Sequence, residues 1–146
     1  MDPQHLRNCC ICGVKTDHTL ITHLRREQDR YVVELLPHPH MEGYPGVVHG
    51  GFSSLLLDEV VAVAVGLERQ REAVTHRLSV EFVKPVLMGQ RLRVEGWLVE
   101  VIKTHFVRGA GQLLDEHGHC LVRAEGEFAV MSPRVRERLF RNQLPS

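Results

Sequence analysis

The sequence predicts an α+β fold in which a single curved antiparallel sheet wraps around one long buried helix. The most apolar run of the chain, residues 46–66, is longer than a typical strand and is rich in Leu, Ala and Val. Two later segments, residues 74–83 and 120–130, alternate apolar and polar side chains with a period of two. That period is typical of antiparallel strands with one buried face. Together these observations predict one helix enclosed by several strands.

The N-terminal third predicts an irregular arm, a hairpin and a loop. Residues 1–19 show no clean periodicity and contain three of the four cysteines, so we expect an arm there. Residues 20–26 and 30–36 are short β-type runs with polar residues between them, which predicts a hairpin. Residues 37–46 contain three prolines and two glycines and are therefore expected to form a loop.

The helix is expected to run from Gly51 to Val65, with Gly66 as its C-terminal cap. Its apolar side chains fall on nearly every side, which predicts a helix that is enclosed all round. Two adjacent acids, Asp58 and Glu59, interrupt this apolar run. A buried carboxylate is costly unless something pairs with it or uses it, so these acids either mark a functional site or form an exposed stripe.

The rest of the chain is expected to supply the sheet. The alternation in residues 74–83 predicts that the core-facing side chains are Val74, His76, Leu78, Val80 and Phe82. The alternation in residues 120–130 predicts a buried face formed by Cys120, Val122, Ala124, Gly126, Phe128 and Val130. Residues 91–101 and 104–114 are expected to be two further strands between them.

A short helix is expected near the C-terminus, because Ser132-Pro133 is a good N-cap and first-turn pair for residues 132–140. The predicted organisation is therefore an arm over residues 1–19, one domain over residues 20–131, and a short helix or tail over residues 132–146.

Composition and charge exclude several functional classes. The 146 residues contain 18 Lys and Arg against 18 Asp and Glu, without a basic stripe, so no nucleic-acid partner is expected. The first ten residues lack the apolar segment of a secretory signal. The longest apolar run contains two acids and looks short for a membrane span. We therefore expect a cytoplasmic protein without a membrane partner, whose cysteines are free thiols.

The start of the helix suggests a site for chemistry on a carbonyl group. The first N–H groups of a helix have no internal partner, and the helix dipole adds partial positive charge there. A ligand can approach the backbone of Gly50 and Gly51 closely because neither has a side chain. Such a site stabilises an oxygen that becomes negative during a reaction. Asp58 follows two turns later, with Ser54 one turn before it on the same face.

This arrangement indicates acyl transfer to water, with Asp58, Gly50 and His49 as the candidate catalytic residues. Asp58 would act as general base toward water or attack the carbonyl itself to give a mixed anhydride, and the sequence does not distinguish the two. An aspartate is a weak base at neutral pH and therefore suits an activated ester, such as a thioester, better than an amide. The ring of His49 would face the substrate or make a structural hydrogen bond.

Residues 46–59 and 75–89 resemble the hotdog-fold acyl-CoA thioesterases, in particular the phenylacetate-pathway and 4-hydroxybenzoyl-CoA (Arthrobacter-type) branch. In that branch an Asp or Glu comes nine residues after the His of His-Gly-Gly, and Asp58 holds this position here. The next motif is a strand of the pattern Thr-x-x-Leu-x-Val-x-Phe-x-(Lys/Arg)-Pro. It is matched by Thr75, Leu78, Val80, Phe82, Lys84 and Pro85. The resemblance covers about residues 20–131.

The resemblance implies a hotdog fold and a homodimer that pairs edge to edge and assembles further into a homotetramer. It places the site at the dimer interface, where the Gly50 N–H would polarise the thioester carbonyl and Asp58 would be nucleophile or base. Coenzyme A is then part of the substrate, and no metal or other cofactor is expected. The candidate substrate-binding residues are Gly51, Ser54, Thr75, Lys84 and Arg91, the two cations being candidates for contact with coenzyme A phosphates.

The chain departs from the Arthrobacter-type enzymes at one position. Those enzymes have a Thr four residues after the acid, where this chain has Ala62. The role of that Thr in positioning water is therefore unfilled here, or it falls to Ser54 or Thr75.

Three other interpretations remain open. A hotdog-type hydratase or dehydratase has an acid six residues after the Pro of a Pro-Gly-Val-Leu motif, and Gly51 at that position argues against it. A non-catalytic acyl-CoA-binding module would tend to lack the helix acid, which this chain retains. Zinc could be bound by Cys9, Cys12, His18 and His23, although these residues do not form the two well-spaced pairs of a strong zinc motif.

Overall fold

Residues 9–11 and 24–141 are described by the computed structural model of the protein, except for the side chain of Phe140. Within these residues, six strands form one antiparallel sheet in the order β1-β2-β4-β5-β6-β3. A long helix, α1, packs across one face of this sheet, and a short helix, α2, follows the last strand. The predicted α+β architecture is confirmed. The bounds are β1 Arg25–Glu27, β2 Arg30–Leu35, α1 Gly50–Arg69, β3 Ala73–Phe82, β4 Leu92–Lys103, β5 Phe106–Leu114, β6 Cys120–Val130 and α2 Pro133–Phe140.

The hydrophobic core lies between α1 and the face of the sheet that α1 covers. The helix lies very close to β4, since a Cβ atom on Gly96 would stand 2.8 Å from the backbone oxygen of Val60. The predicted buried face of β6 is confirmed from Val122 to Val130, but Cys120 is only half-buried, and Leu121, which was expected on the other face, is buried. The largest fully buried side chains include Val32, Met41, Leu56, Leu57, Leu92, Leu113 and Phe128.

The end of α1 differs from the prediction. The helix continues through Gly66 to Arg69, and Gln70 caps it in the left-handed conformation with φ 52°. The Gln70 N–H donates to the carbonyl oxygens of Gly66 and Leu67. Gly66 is required for a different reason, because a Cβ atom there would lie 2.9 Å from the oxygen of Arg71 as the chain turns back. Gly66 therefore permits close packing and does not end the helix.

The expectation that α1 is enclosed on every side is wrong for the single chain. Its buried residues face the sheet, whereas one stripe remains partly exposed. This exposed stripe consists of Leu55, Asp58, Glu59, Ala62 and Val63. Because an apolar stripe of this kind gains by being covered, it is a candidate contact surface.

The helix formed by the apolar run is also longer than expected. By length and composition alone α1 could cross a membrane, since it has 20 residues and contains an 18-residue window with a mean hydropathy of 1.6. However, 44% of its apolar window is buried inside the fold, as in the core helix of a globular domain. Its apolar character is therefore explained by its packing against the sheet.

A β-bulge in β3 changes the predicted face of that strand. Thr75 pairs with Phe128 and Arg77 pairs with Glu127, so His76 is an extra residue without a partner on β6. The bulge reverses the alternation on its N-terminal side, where Val74 is 46% exposed and Thr75 is turned inward beside buried Phe128. The predicted inward orientation of Val74 and His76 is therefore wrong.

Part of the N-terminal arm contacts the core. Ile11 is buried and Cys9 packs against the same apolar cluster. The remaining residues of the proposed zinc set, Cys12, His18 and His23, lie outside the described residues. The hairpin is present as β1 and β2, with residues 20–23 of its predicted first strand also outside that part of the chain.

A buried carboxylate on the outer face of the sheet is held by three neighbours. Glu95 is only 5% exposed, and it accepts hydrogen bonds from Arg30 at 2.5 Å, Arg93 at 2.7 Å and Gln112 at 2.8 Å. Burial by itself raises the pKa of Glu95, but the hydrogen bonds from Gln112, Arg93 and Arg30 outweigh it and hold the pKa below its ordinary value. The ionised carboxylate therefore stabilises the fold.

Replacing Glu95 by Gln is expected to lower the free energy of unfolding by about 2 kcal/mol at pH 7, because Arg30 and Arg93 lose their buried anion. Since the pKa of Glu95 is lower in the folded state than in the unfolded state, this contribution is full above pH 4.5. It disappears as the pH falls through the folded-state pKa. Urea unfolding of wild type and Glu95→Gln at several pH values measures this.

A matched control is Glu81→Gln, which breaks an exposed pair with Arg123 and should change stability little. Equal losses in the two variants, or a loss for Glu95→Gln that does not diminish as the pH is lowered below 4.5, would contradict the assigned role of Glu95.

Candidate active site

The N-terminus of α1 is capped by the histidine of the His-Gly-Gly motif. His49 has extended backbone angles, with φ −60° and ψ 133°, and its Nδ1 accepts a hydrogen bond from the Gly51 N–H at 2.9 Å. The His49 N–H donates to the carbonyl oxygen of Met41 at 2.7 Å. The ring therefore makes the structural hydrogen bond that is one of the two roles expected for it. This cap satisfies the Gly51 N–H, so that donor is already engaged.

The neighbouring Gly50 N–H is different, since no described residue accepts a hydrogen bond from it. It is the first helical residue of α1, where the N–H groups have no partner inside the helix. Gly50 also lines a cavity of about 630 Å³. A Cβ atom at this position would lie 3.2 Å from Cε1 of Phe82, so the glycine allows that aromatic ring to form part of the wall.

The cavity beside Gly50 has mostly apolar walls. They come from the loop before α1, from the first turn of α1, and from the segment that follows β3. His49 and Lys84 add polar groups to the lining, and Lys84 is exposed to solvent. The apolar members include Val47, Val48, Phe82, Val83, Pro85 and Val86. A mainly apolar cavity with a free donor can hold an acyl group by its carbonyl.

Asp58 lies on the partly exposed stripe of α1 and is held by a threonine from β3. The Thr75 hydroxyl donates to Oδ1 of Asp58 at 2.6 Å. Thr75 reaches this position because the bulge at His76 turns it toward the helix. Of the residues that the structure describes, no lysine, arginine or histidine forms an ion pair with Asp58. The carboxylate is thus held in place by a neutral donor.

The two halves of the candidate site are separated within one chain. Gly50 and Asp58 are eight residues apart on one helix, which corresponds to about 12 Å along its axis. Neither Asp58 nor Thr75 lines the cavity beside Gly50. A carbonyl bound at the Gly50 N–H therefore does not reach the Asp58 carboxylate of the same chain.

The other candidate substrate-binding residues occupy varied positions. The Ser54 hydroxyl donates to the carbonyl oxygen of Gly50 at 2.9 Å, which engages it within the helix. Arg91 is exposed directly before β4 and does not line the cavity. Of the predicted residues, the structure therefore brings His49, Gly50 and Lys84 to the cavity and pairs Thr75 with Asp58.

Sequence reasoning missed Ser53, which lines the cavity one turn below Gly50. Ser53 is 1% exposed, and its hydroxyl has no hydrogen-bond partner among the described residues. In the sequence it is indistinguishable from its neighbour Ser54. Only the rotation of α1 against the sheet shows which of the two serines faces inward.

Comparison with protein families finds a match to one family model. The model of the thioesterase superfamily matches residues 45–110, which include the His-Gly-Gly motif, α1 with Asp58, and β3 with Thr75. This is a narrower segment than the resemblance read from the motifs. No curated protein matches the chain.

Solved structures share the fold. The Streptococcus mutans protein smu.793, solved bound to acetyl-CoA, is 19% identical with a TM-score of 0.68, over 75% of this chain and 86% of that chain. A thioesterase superfamily protein is 29% identical with a TM-score of 0.67, over 73% of this chain and 54% of its own. PaaI from the phenylacetic acid degradation operon of E. coli is 16% identical with a TM-score of 0.62, over 71% and 74% of the two chains. The fold of this chain is therefore the hotdog fold.

Proposed function

We propose that this protein is a thioester hydrolase that cleaves an acyl-CoA, or an acyl-carrier-protein thioester, to a free acid and a thiol. The observation that carries the proposal is the Gly50 N–H, which has no acceptor among the described residues and belongs to a residue that lines a mainly apolar cavity at the start of α1. The Asp58 carboxylate, oriented by Thr75, supplies the second group that such a reaction needs. The thioesterase family match and the likeness to a protein solved with acetyl-CoA support the same class.

The site is composed of two chains in this proposal. Because Gly50 and Asp58 of one chain lie about 12 Å apart along α1, a thioester carbonyl contacts both only if one of them comes from another subunit. A twofold axis that places two α1 helices antiparallel brings Gly50 of one protomer beside Asp58 of its partner, and creates two equal sites.

Two surfaces of the chain suit this pairing. The partly exposed stripe of α1 carries Asp58 between apolar residues, so covering it buries Leu55 and Ala62 around the acid. Strand β3 is ten residues long and lies at the edge of the described sheet, where its outer backbone groups are open to pairing with a second β3. Phe82 of this strand is 55% exposed and borders the cavity, which places an apolar contact next to the site.

In the first of two reaction routes, Asp58 acts as a general base. The carboxylate takes a proton from a water molecule while the water oxygen bonds to the thioester carbon. The carbonyl oxygen becomes negative and is held by the Gly50 N–H. The C–S bond then breaks, and the thiolate of the leaving group takes the proton from Asp58, which returns to its carboxylate form.

In the second route, an oxygen of Asp58 attacks the thioester carbon and forms a mixed anhydride as the thiolate leaves. Water then cleaves the anhydride and regenerates the carboxylate. Both routes use the same groups: the Thr75 hydroxyl occupies Oδ1 of Asp58 and leaves Oδ2 for water or for the substrate. In this proposal Thr75 takes over the orienting role of the threonine that is replaced by Ala62.

The proposal extends to the rest of the substrate and to the setting. Lys84, which lines the cavity, is placed to contact a phosphate of coenzyme A. Arg91 does not line the cavity, so it would contact a phosphate only where coenzyme A extends beyond the cavity. No metal or redox cofactor is needed, because a carboxylate and an amide donor suffice for hydrolysis of a thioester. We propose a cytoplasmic enzyme whose homodimers assemble into a homotetramer.

Release of free thiol from short, long and aryl acyl-CoAs tests the function. We expect time-dependent thiol release with at least one class, and equal amounts of acid and coenzyme A as products. Hydration of an enoyl-CoA without thiol release would indicate a hydratase instead. Binding of acyl-CoA without any reaction would indicate a binding module, and either result would overturn the proposal.

A further inference from the structure

The hydroxyl of Ser53 is a buried polar group that the proposed reaction does not use. Ser53 is 1% exposed, and its Oγ has no hydrogen-bond partner among the described residues. Buried polar groups in folded proteins are almost always hydrogen-bonded, so an exception calls for a missing partner. Because Ser53 lines the cavity, a bound ligand can supply that partner.

Ser53 and the free Gly50 N–H are close enough to act on one ligand. The two residues are three positions apart, which places them on the same side of α1 with a rise of about 4.5 Å. The Cα–Cβ bond of a helical residue tilts toward the N-terminus of the helix, which brings the serine hydroxyl nearer to the Gly50 N–H. A ligand whose carbonyl oxygen meets Gly50 therefore has a second oxygen-binding position a few bonds away.

We propose that Ser53 selects acyl groups that carry a hydroxyl or keto oxygen on the carbon β to the thioester carbonyl. The class includes 3-hydroxyacyl and 3-oxoacyl thioesters and aryl thioesters with an ortho hydroxyl. This inference rests on the proposed function, because it takes the Gly50 N–H as the site of the thioester oxygen. Ser53 is a specificity residue in this scheme and takes no part in proton transfer.

The surroundings of Ser53 favour this selection. Val48 and Val86, which share the cavity, are buried and apolar. The adjacent hydroxyl of Ser54 is engaged by the Gly50 carbonyl oxygen and is not a competing donor. An unsubstituted acyl chain would leave the Ser53 hydroxyl unpaired, whereas a β-oxygen satisfies it. Sites built around a buried polar group reject analogues that lack its partner.

The kinetic test compares matched pairs of CoA thioesters: 3-hydroxybutyryl with butyryl, 3-hydroxyoctanoyl with octanoyl, and 2-hydroxybenzoyl with benzoyl. We expect wild type to show a kcat/KM roughly 10-fold or more higher for the oxygenated member of at least one pair. In Ser53→Ala this ratio should fall to about one, while kcat/KM for the unsubstituted ester should be at least that of wild type. Ser79→Ala, an equal change on the exposed part of β3, should retain the ratio.

A ratio near one in wild type for all pairs, or an unchanged ratio in Ser53→Ala, would overturn the inference while hydrolysis itself stands. The melting temperature provides a readout that does not depend on turnover. Without ligand, Ser53→Ala should melt at the same or a higher temperature, because it removes a buried hydroxyl that has no partner. A clearly lower melting temperature would show that the hydroxyl has a structural partner and would also overturn the inference.

If no ester is hydrolysed, the proposed function fails. The esters then remain intact during thermal unfolding, so their binding can be measured directly. The ligand-induced rise in melting temperature then decides the inference. A larger rise with the oxygenated ester that is lost in Ser53→Ala would support selection by Ser53 in a binding protein. If the oxygenated ester raises the melting temperature of wild type and Ser53→Ala equally, its contact with the protein is adventitious and the inference is overturned.

Discussion

Replacing Asp58 by Asn is expected to lower kcat/KM for the best acyl-CoA about 1,000-fold. Asparagine has nearly the same shape and can still accept the hydrogen bond from Thr75, but it neither takes a proton from water nor attacks a carbonyl. The fold should be little affected, because Asp58 is partly exposed and its partner is a neutral hydroxyl. Thiol release and the melting temperature, measured on the same preparation, test both statements.

The adjacent acid provides the control. Glu59 lies about 100° around the helix from Asp58, so its side chain points away from the proposed carbonyl position. Glu59→Gln removes the same charge one residue along and should retain kcat within about threefold of wild type. An Asp58→Asn protein that kept a third of the wild-type rate would rule out both reaction routes.

Replacing Gly50 by Pro is expected to lower kcat by roughly 100- to 1,000-fold, because it removes the N–H that, in the proposed reaction, holds the developing oxyanion. The substitution suits the local backbone unusually well. Proline is favoured at the first helical position, and the extended angles of His49 are those that a residue before proline adopts. Stability should therefore be retained while the rate falls.

Gly50→Ala separates the loss of the N–H from the addition of a side chain. Both variants place a Cβ atom about 3.2 Å from the ring of Phe82, which is largely exposed and can shift. Alanine retains the N–H, so its kcat should stay at least ten times that of the proline variant. Equal rates for the two variants would mean that the Gly50 N–H does not hold the thioester oxygen.

The same variants test whether the site is shared between two chains. Gly50→Pro retains Asp58, and Asp58→Asn retains Gly50, so a mixed dimer contains one intact composite site and one doubly defective site. If subunits exchange at random, half of the dimers are mixed, and about a quarter of the wild-type activity should return. Mass spectrometry of tagged chains verifies that the subunits have exchanged. If the activity of the exchanged mixture is still only the sum of the two variants' activities, the site lies within one chain.

The sequence predicted the fold because its strongest signals are local. A long apolar run with a His-Gly-Gly start is a helix whatever surrounds it, and period-two alternation indicates strands with one buried face. For the same reason, the capped N-terminus of α1 and the position of Asp58 on it were predictable by counting along the chain. The end of α1 was not, since Gly66 resembles a cap in sequence but is required by the close passage of Arg71.

The parts of the site that depend on pairing and packing came only from the structure. Thr75 meets Asp58 because β3 is bulged where it pairs with β6, and nothing in residues 74–83 marks the bulge. Ser53 faces the cavity while Ser54 does not, because the sheet determines how α1 is rotated.

By itself, then, the sequence determined the helix, the strands, and the amide and carboxylate that the proposed chemistry needs. The tertiary structure decided which side chain holds that carboxylate and which serine is buried, and it showed that one chain keeps the amide and the acid too far apart. The physical reason is that chemical identity and helical period are properties of neighbouring residues. Burial, register and distance between groups depend on what the rest of the chain packs against them.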